Sequence, residues 1–500
     1  MDSQQNKSNA ELPGDVVAFL RDTNPWWDGR PMRPLPPHRR WLFDTALQRL
    51  QSGLAPVTVL RGPRQVGKTT LQEHLIDHLL HVENVDERRI LRVQFDEIAA
   101  LSGLQDPILL LCRWFEQSRL GATFNESAQA GSPALLFFDE VQNLTDWAPQ
   151  VKSLVDHHAV RVLLTGSSAL RIERGRDSLA GRISTLELNT LQLREIAEIR
   201  EWGQIPPVLE GNGVGVLNDR SFWEAVRDQG KHYQGLRDRA FEAYSERGGY
   251  PIAQTRADRP WEEIADQLNE TILRRVIQHD LQVGERGEKR DPALLEQVFR
   301  MACRYAGQAP GQAAFTNELN MALDAAIGWQ RVLHNLQFLN DTLLIRLIQP
   351  LEIRLKKQRT QPKISLCDHG LRASWLQESV PLTPQALNNA PHLTDLAGHL
   401  AESIAGYYLS AIPNLDLSWF PERGAEPEVD LVITVGDYRI PVEVKYRNRI
   451  AFRDTLGLRS FMEKAVYNAP FGLLITLSDD VTVDDPRIVA LPLSSLLMMR

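Results

Sequence analysis

The sequence is poor in cysteine and has no long apolar run. Its three cysteines, Cys112, Cys303 and Cys367, are scattered over 500 residues. They have neither the spacing of metal ligands nor the even number of a disulfide framework, which predicts a reducing compartment. No apolar run approaches the length of about 18 residues that a membrane-spanning helix needs. The polar N-terminus leads into no apolar signal segment. We therefore expect a cytoplasmic protein without a membrane segment.

The sequence also lacks an excess of positive charge. With 56 lysines and arginines against 64 aspartates and glutamates, its formal net charge is −8. This excludes a global basic field that attracts nucleic acid, so any such contact must come from a local patch. At 43% apolar and 24% charged residues, the composition is ordinary for a globular protein. The length predicts about three domains.

What the sequence does contain is a phosphate-binding loop. The apolar run 57–60 precedes the motif G-x-x-x-x-G-K-T, and an amphipathic stretch, residues 71–80, follows it. This order predicts a strand, a loop and a helix whose backbone N–H groups point at phosphate oxygens. Lys68 is expected to reach the β- and γ-phosphates of ATP, and Thr69 to bind Mg²⁺. The alternative is a chance glycine turn, which the flanking strand and helix disfavour. The predicted nucleotide-binding residues here are Gly62, Pro63, Arg64, Gln65, Val66, Gly67, Lys68, Thr69 and Thr70.

Two carboxylates end a later apolar run. Residues 134–138 are continuously apolar, as in a central parallel strand, and Asp139 and Glu140 follow them. We expect Asp139 to hold Mg²⁺ through water and Glu140 to polarise the attacking water. Thr165 and Ser167 end another apolar run and are candidates for contact with the γ-phosphate. A turn with capping hydroxyls is the alternative for these two residues.

Arg182 precedes an alternating strand, residues 183–188. An arginine here is a candidate for a transition-state clamp on the γ-phosphate bound by a neighbouring subunit. That role would require a homo-oligomer. A salt-bridged surface arginine is the equally weighted alternative.

Several motifs resemble those of AAA-type ATPases of bacteria and archaea that carry a C-terminal domain of unknown function. They are G-x-x-x-x-G-K-T at 62–69, Phe-Asp-Glu-Val-Gln at 138–142, Leu-Thr-Gly-Ser-Ser at 164–168, Leu-Ala-Gly-Arg at 179–182 and Arg-Gly-Gly-Tyr-Pro at 247–251. The resemblance extends from about residue 40 to the C-terminus. It implies an α/β P-loop ATPase core, a helical lid, a winged helix and a nuclease-like end.

The part of the chain from residue 292 to 370 has the pattern of three helices and a β-hairpin. Helical stretches at 292–306, 316–324 and 328–339 precede strand-like runs at 343–348 and 364–367, which is the element order of a winged helix. The connection between the two runs is basic in an otherwise acidic chain, which suits contacts to DNA phosphates. A winged helix that contacts protein is the alternative. The predicted nucleic-acid residues are Arg354, Lys356, Lys357, Arg359 and Lys363.

Closer to the C-terminus, the sequence predicts a second hairpin. Two alternating runs flank the Gly-Asp pair at 436–437, which is typical of a two-residue turn. If Val435 pairs with Tyr438, then Asp430 faces Glu443 across the ladder. Opposed residues have Cβ atoms about 5 Å apart, so the two carboxylates can share one divalent ion.

This hairpin is similar to the core of the PD-(D/E)XK nuclease fold. The two-residue period of a strand puts Lys445 on the same face as Glu443, where a lysine can position or activate a water. Glu402, on the preceding predicted helix, would be a further metal ligand with Asp430 and Glu443. A hairpin with one charged, solvated face gives the same alternation, and a degenerate version that does not cut is a further alternative.

The predicted fold class is α/β, and the predicted domains are an N-terminal arm, a P-loop ATPase core, a helical lid, a winged helix and a nuclease-like domain. Their predicted ranges are 1–34, 35–190, 191–290, 291–372 and 385–500. We expect an ATP-hydrolysing motor or switch that acts on DNA with Mg²⁺. Metal-dependent cleavage of DNA by the C-terminal domain is an additional hypothesis. The alternative is a nucleotide-gated oligomeric regulator of a protein partner, with an inactive nuclease-like domain.

Overall fold

The structure is a computed structural model, and it describes residues 12–96, 101, 103–144, 146–166, 179–209, 213–277, 291–352 and 360–500. The chain forms two compact units. One comprises residues 1–62 and 67–188, and the other comprises residues 63–66 and 189–500. Five predicted site residues lie outside the described residues, namely Ser167, Arg354, Lys356, Lys357 and Arg359.

The first unit is built on a parallel sheet, as the sequence predicts. In the described part of the chain its strand order is β2-β3-β4-β1-β5, and every pairing is parallel. Strand β3 is buried along its whole length, which its apolar run requires. Because the strands are parallel, their carboxyl ends lie on the same side of the sheet. The residues that follow β1, β3 and β4 therefore lie together at the carboxyl ends of the strands. The strands are β1 (Val57–Arg61), β2 (Ile90–Gln94), β3 (Leu135–Asp139), β4 (Arg161–Gly166) and β5 (Ile183–Glu187).

Helices alternate with these strands along the chain, which is the arrangement of an α/β fold. The helix that follows the phosphate-binding loop begins at Lys68, immediately after the loop's second glycine. The helices of the first unit are α1 (Gly14–Thr23), α2 (Phe43–Ser52), α3 (Lys68–His81), α4 (Pro107–Phe115), α5 (Phe124–Gln129) and α6 (Trp147–His157).

The described part of the N-terminal arm docks on the edge strand β2. The side chain of Asn24 donates to the carbonyl of Arg92 at 2.8 Å and accepts from its N–H at 2.7 Å. This is the exchange that a neighbouring strand residue would make. The indole N–H of Trp27 donates to the carbonyl of Ile90 at 3.0 Å. The arm therefore covers groups that an exposed edge would leave unpaired.

Arg92 also connects this edge to helix α3. Its Nε donates to Gln72 Oε1 at 3.2 Å, and its Nη2 lies 3.2 Å from Glu73 Oε1. Arg92 and Glu73 are both buried, and a buried charge is stable only when it is paired. The pair therefore fixes the position of α3 against the sheet.

The second unit begins with helices and a short antiparallel pair, β6 with β7. The predicted order of three helices and a hairpin is confirmed. The middle helix begins at Gln312 after Gly311, so Thr316 lies inside it rather than at its predicted start. These elements are α7 (Leu193–Ile199), α8 (Arg220–His232), α9 (Gln234–Arg247), α10 (Pro251–Thr255), α11 (Trp261–Leu268), α12 (Pro292–Arg304), α13 (Gln312–Leu323), α14 (Trp329–Asp341), β6 (Ile345–Ile348) and β7 (Lys363–Leu366).

The rest of the second unit contains a mixed sheet of order β12-β11-β10-β9-β8 in the described residues. The predicted hairpin is confirmed, because Val435 pairs with Tyr438 and the register continues to Leu431 with Val442. The elements are α15 (His369–Leu376), α16 (Pro384–Asn389), α17 (Thr394–Ser410), β8 (Asp416–Phe420), β9 (Val429–Val435), β10 (Tyr438–Lys445), α18 (Leu456–Met462), β11 (Gly472–Thr476), β12 (Ile488–Pro492) and α19 (Leu493–Leu496).

Strand β7 packs closely on helix α17. The N–H of Leu366 donates to Ser403 Oγ at 2.9 Å. A Cβ atom added to Gly406 would lie 2.6 Å from Ser365 Oγ, so only glycine permits this approach. Because Lys363 begins β7 and Glu402 precedes Ser403, the same packing brings these two charged side chains together.

The Arg-Gly-Gly-Tyr-Pro stretch forms a turn that Asp368 holds. The Asp368 carboxylate accepts the N–H of Gly249 at 2.6 Å and that of Gly370 at 2.8 Å. Gly248 has a φ of +73°, and a Cβ atom there would lie 2.0 Å from Asp368 Oδ1. The turn therefore joins the end of α9 to the start of α15, and backbone geometry accounts for Gly248.

Cys112, Cys303 and Cys367 are buried and free, and burial raises the pKa of all three thiols. Among the described residues, no helix combines the length and the apolar character that crossing a membrane requires.

Replacing Gly248 with alanine should destabilise the second unit. The methyl group would displace the Asp368 carboxylate and would force alanine to adopt a positive φ. We expect a loss of about 2–4 kcal/mol in the free energy of unfolding, measured by denaturant unfolding of the full chain. Gly235 in α9 is the matched control, because nothing lies within 4 Å of a Cβ atom added there. Gly235→Ala should leave stability unchanged or raise it by up to about 1 kcal/mol. Equal losses in both variants would contradict the role of the turn.

Candidate functional site

The loop between β1 and α3 has the backbone of a phosphate cradle. Gln65 and Gly67 have φ values of +63° and +92°, and such left-handed residues turn successive N–H groups toward one point. The buried Lys68 ammonium donates to the carbonyl of Gly62 at 2.9 Å. A charged phosphate oxygen is a stronger acceptor than a carbonyl. The ammonium is thus held across the loop by a contact that a nucleotide phosphate can replace.

Asp139 is the centre of a hydrogen-bonded set at the sheet edge. Its Oδ2 accepts the Thr69 hydroxyl at 2.8 Å, and its Oδ1 accepts the Thr165 hydroxyl. Asp139 is only 2% exposed, and burial raises the pKa of its carboxyl in spite of these two donors. Helix α3 and strands β3 and β4 therefore bring together the three predicted side chains. A threonine hydroxyl beside an aspartate is a donor set that fits Mg²⁺ in P-loop proteins.

Glu140 lies next to Asp139 in an uncommon backbone conformation. Its φ is +51°, which is unusual for a residue other than glycine. Such strain concentrates at functional sites, where neighbouring structure holds it. The Gln142 side-chain amide donates to Glu140 Oε2 and so positions the half-buried carboxylate. Sequence reasoning missed Gln142, although it lies within the Phe-Asp-Glu-Val-Gln motif.

Arg182 lies at the amino ends of the strands, whereas Asp139 lies at their carboxyl ends. It precedes β5, and its carbonyl accepts the N–H of Val57 at the amino end of β1 at 3.1 Å. The five residues of β1 separate the amino end of the strand from the phosphate-binding loop by about 16 Å. Arg182 also makes an ion pair with Asp156. The Arg182 side chain is therefore remote from the nucleotide site of its own chain.

A second group of charged side chains lies in the second unit. Carboxylate oxygens of Glu402, Glu428 and Asp430 lie within 4.8 Å of one another. The Lys363 ammonium makes ion pairs with all three, at 2.8 Å from Glu428 and 3.5 Å from Asp430. Lys363 is only 3% exposed. The prediction that Lys363 contacts nucleic acid is therefore wrong, because the packing of β7 on α17 turns this lysine inward.

Glu443 and Lys445 lie beside this cluster on β10. The Lys445 ammonium pairs with Glu443. Asp430 Oδ2 accepts the N–H of Val444 at 2.8 Å, which places Asp430 opposite this part of β10, as the predicted register requires. Burial, with repulsion from Asp430, raises the pKa of Glu443 to about 8. Glu443 Oε2 is buried without a hydrogen-bond partner among the described residues.

The cluster carries more negative charge than its internal lysine neutralises. One Lys363 ammonium faces three carboxylates, and burial, with repulsion from Asp430, raises the pKa of Glu402. Surplus carboxylate oxygens and the unpartnered Glu443 oxygen are groups that a divalent cation would satisfy. Sequence reasoning missed Glu428 as a member, although its spacing from Asp430 indicates the same face of the strand.

Comparison with known protein families identifies the class of the first unit. Residues 55–197 match the family described as an AAA domain. Together with the phosphate-binding loop and the parallel sheet, this match makes the first unit an AAA-type ATPase core with an α/β P-loop fold. The predicted resemblance is confirmed at this level. Residues 238–381 match a domain of unknown function, DUF8612.

Individual relatives add little to this class. The uncharacterized proteins Rv2008c of Mycobacterium tuberculosis and Mb2031c of Mycobacterium bovis are each 25% identical over 417 residues, 80% of this chain and 73% of theirs. A Walker-type ATPase of Pyrococcus abyssi matches with a TM-score of 0.37 at 16% identity, covering 69% of this chain and 99% of that one. Domain III of the replication initiation protein DnaA from Thermotoga maritima matches with a TM-score of 0.21 at 15% identity, covering 39% and 85%. At TM-scores this low, neither structure bears on the fold or function of this chain.

Two substitutions should separate nucleotide binding from hydrolysis. Lys68→Ala removes the cation that holds phosphate and should abolish tight binding of a fluorescent ATP analogue. Glu140→Gln keeps the size of the side chain and should preserve binding while it slows ATP turnover by about 10²- to 10⁴-fold. Glu87→Gln, on an exposed turn of the same unit, is the control and should leave both unchanged. Normal turnover in Glu140→Gln would exclude Glu140 as the residue that activates water.

Proposed function

We propose that this protein is an oligomeric ATP-driven machine that acts on DNA through its second unit. The observation that carries the ATPase part is the contact of Thr69 and Thr165 with the buried Asp139 carboxylate. That set, at the end of a phosphate-binding loop, matches the needs of ATP hydrolysis. The DNA part is supported by the helices and hairpin of the second unit and by the carboxylate cluster.

The first unit supplies the residues for hydrolysis. Backbone N–H groups of Gly62 and of residues 64–70 bind the phosphates of ATP, and Lys68 neutralises charge on the β- and γ-phosphates. Thr69 and Asp139 would hold Mg²⁺, which supplies further neutralisation of phosphate charge when it is bound. Glu140, positioned by Gln142, accepts a proton from the attacking water. Thr165 contacts the γ-phosphate side of the site.

Arg182 acts on the nucleotide of a neighbouring subunit in this proposal. Arg182 lies at the amino ends of the strands, and the phosphate-binding loop of its own chain lies at their carboxyl ends. This position supports a role in trans. An arginine brought to a γ-phosphate by a partner stabilises the charge of the transition state. The ion pair with Asp156 would be exchanged for that contact when subunits assemble.

Mixing two inactive variants tests the role of Arg182. Arg182→Ala and Lys68→Ala should each lose most ATP turnover. A mixture should recover part of it, because an intact loop of one subunit meets the intact Arg182 of another. Asp156→Ala, which removes only the partner of Arg182, should retain turnover. Failure of the mixture to recover would exclude action between subunits.

The same turnover assay tests the proposed action on DNA. Turnover is measured alone and with single-stranded, duplex and branched DNA, together with binding of each DNA. At least one form of DNA should bind and change the rate. Absence of binding and of any change with all three would contradict it.

We propose that the second unit contains a lid, a winged helix and a nuclease-like domain, at residues 191–290, 291–372 and 385–500. Helices α12 to α14 followed by β6 and β7 have the element order of a winged helix, which supports contact with DNA. The mixed sheet with opposed carboxylates supports the nuclease-like assignment.

A metal-dependent cut is proposed for the carboxylate cluster. Glu402, Asp430 and Glu443 would hold Mg²⁺, which supplies neutralisation of phosphate charge at the scissile bond when it is bound. Glu428 would add a fourth carboxylate from the exposed side. Lys445, held by Glu443, would position the attacking water. The unpartnered, buried Glu443 oxygen is the observation that supports this use of the cluster.

The position of Lys363 favours a second candidate function. An ammonium already seated among Glu402, Glu428 and Asp430 takes the place that a cation would occupy. A cluster held in this way would be structural, and the protein would then be a nucleotide-gated regulator of a protein partner with an inert nuclease-like domain. The two candidates differ in whether a divalent cation displaces the lysine.

Removing the charge of Lys363 distinguishes these candidates. If the cluster takes a cation, Lys363→Met should bind Mn²⁺ at least about tenfold more tightly than the natural protein, since a competing charge is gone. Asp430→Asn should lose both Mn²⁺ binding and metal-dependent cleavage of labelled DNA. Binding is measured by calorimetry and by the rise in unfolding temperature with Mn²⁺. Lys464→Met is the control, because Lys464 pairs with Glu426 outside the cluster. No Mn²⁺ binding and no cleavage in any variant would support the inert domain.

A further inference from the structure

The chain between β10 and α18 is an exposed segment rich in arginine. We call residues 447–456, which include Leu456 at the start of α18, the β10–α18 segment. Its arginines at 447, 449 and 453 are exposed, and Phe452 and Leu456 are 65% and 43% exposed. Large apolar side chains grouped on a surface mark contact sites. The charge alternates with these apolar groups in a chain whose net charge is −8.

Both ends of the β10–α18 segment lie at the carboxylate cluster. The segment closely follows Lys445, which pairs with Glu443. Where the segment ends, a Cβ atom added to Gly457 would lie 2.7 Å from the carbonyl of Glu428 and 3.3 Å from Glu443 Oε2. The first turn of α18 thus contacts Glu428 and Glu443 through Gly457.

Internal contacts hold the segment in one shape. The buried Asp454 carboxylate pairs with Arg447 and accepts the N–H of Ala451 at 2.7 Å. The Arg459 guanidinium lies 4.5 Å from the centre of the Phe452 ring. The ring is therefore fixed by a cation on one side while most of its surface remains in water. A pre-positioned aromatic ring loses little entropy on binding, which favours its use as a contact.

Two of the exposed arginines are available for an anionic ligand. Arg447 is engaged by Asp454. In the described part of the chain, Arg449 and Arg453 have no ion-pair partner. They flank the fixed Phe452 ring in the sequence. Basic groups that alternate with an exposed aromatic ring are the elements that bind single-stranded nucleic acid: the arginines contact phosphates, and the ring stacks on a base.

We propose that the β10–α18 segment binds single-stranded nucleic acid and presents it to the carboxylate cluster. Arg449 and Arg453 contact phosphates, and Phe452 stacks on an unpaired base. A single strand is specified because base faces are covered in a duplex and open in a single strand. This inference rests on the proposed action on nucleic acid, but it does not require that the cluster cuts.

Binding of short oligonucleotides to the full chain tests the proposal. The probes are a labelled single strand of about 15 nucleotides, as DNA and as RNA, and the matched DNA duplex. Phe452→Ala should weaken single-strand binding by roughly 5- to 100-fold, the effect of losing one stacked base, while Phe452→Trp should retain it. Arg449→Ala with Arg453→Ala should reduce the slope of log affinity against log salt by about 1.4. The DNA and RNA arms show which strand chemistry the segment prefers.

Matched controls separate this surface from general effects. Val466→Ala removes another exposed apolar side chain of the second unit, 56% exposed, and Arg259→Ala removes another exposed arginine; both should bind as the natural protein does. Unchanged single-strand affinity in Phe452→Ala and in the double arginine variant overturns the proposal, as does an equal loss in Val466→Ala. If the natural protein binds none of these probes and also fails to bind branched DNA, the proposed action on nucleic acid fails as well. Binding by the natural protein with no effect of Phe452→Ala places the fault in this surface alone.

Discussion

Burial of carboxylates is the constraint on which both units depend. A carboxylate removed from water is costly unless donors replace the lost solvent. Asp139 receives two hydroxyl groups, Asp368 receives backbone N–H groups, and the carboxylates around Lys363 receive an ammonium. Each solution ties elements that are distant in sequence. The donors differ in consequence: hydroxyls and an ammonium can be exchanged for a cation, whereas backbone N–H groups at a turn are fixed in place.

Much of the ATPase core could be predicted from the sequence because its determinants are local. Glycines, an apolar run and a helical period specify the phosphate-binding loop, and the two-residue period of strands specifies the hairpin register. The position of Lys363 could not be predicted in this way. Its basic neighbours suggested a solvated surface, but Ser403 and Gly406 draw β7 onto α17, and that contact depends on residues far along the chain. Gln142 was missed because a side chain that only positions another leaves no periodic pattern.

The Gly-Gly turn shows how a sequence motif can have a purely structural cause. Gly248 has a positive φ and lies against the Asp368 carboxylate, so larger side chains are excluded by space and by backbone angle. The motif therefore stabilises the junction of α9 and α15, and no contact with nucleotide is needed to explain it. For Arg182, the structure adds what the motif alone cannot show. Arg182 lies at the amino ends of the strands, away from the phosphate-binding loop of its own chain.

The docking of Asn24 on β2 links the N-terminal arm to the helix that follows the phosphate-binding loop. Asn24 hydrogen-bonds to the backbone of Arg92. The side chain of Arg92 hydrogen-bonds to Gln72 and pairs with Glu73, both on the helix that starts at Lys68. These contacts connect the N-terminal arm to the helix that follows the phosphate-binding loop, and they do not involve the nucleotide site. Any ligand that pulls the arm away from β2 would loosen the helix that begins at Lys68. The position of the arm is therefore coupled to the position of this helix in the ATPase core.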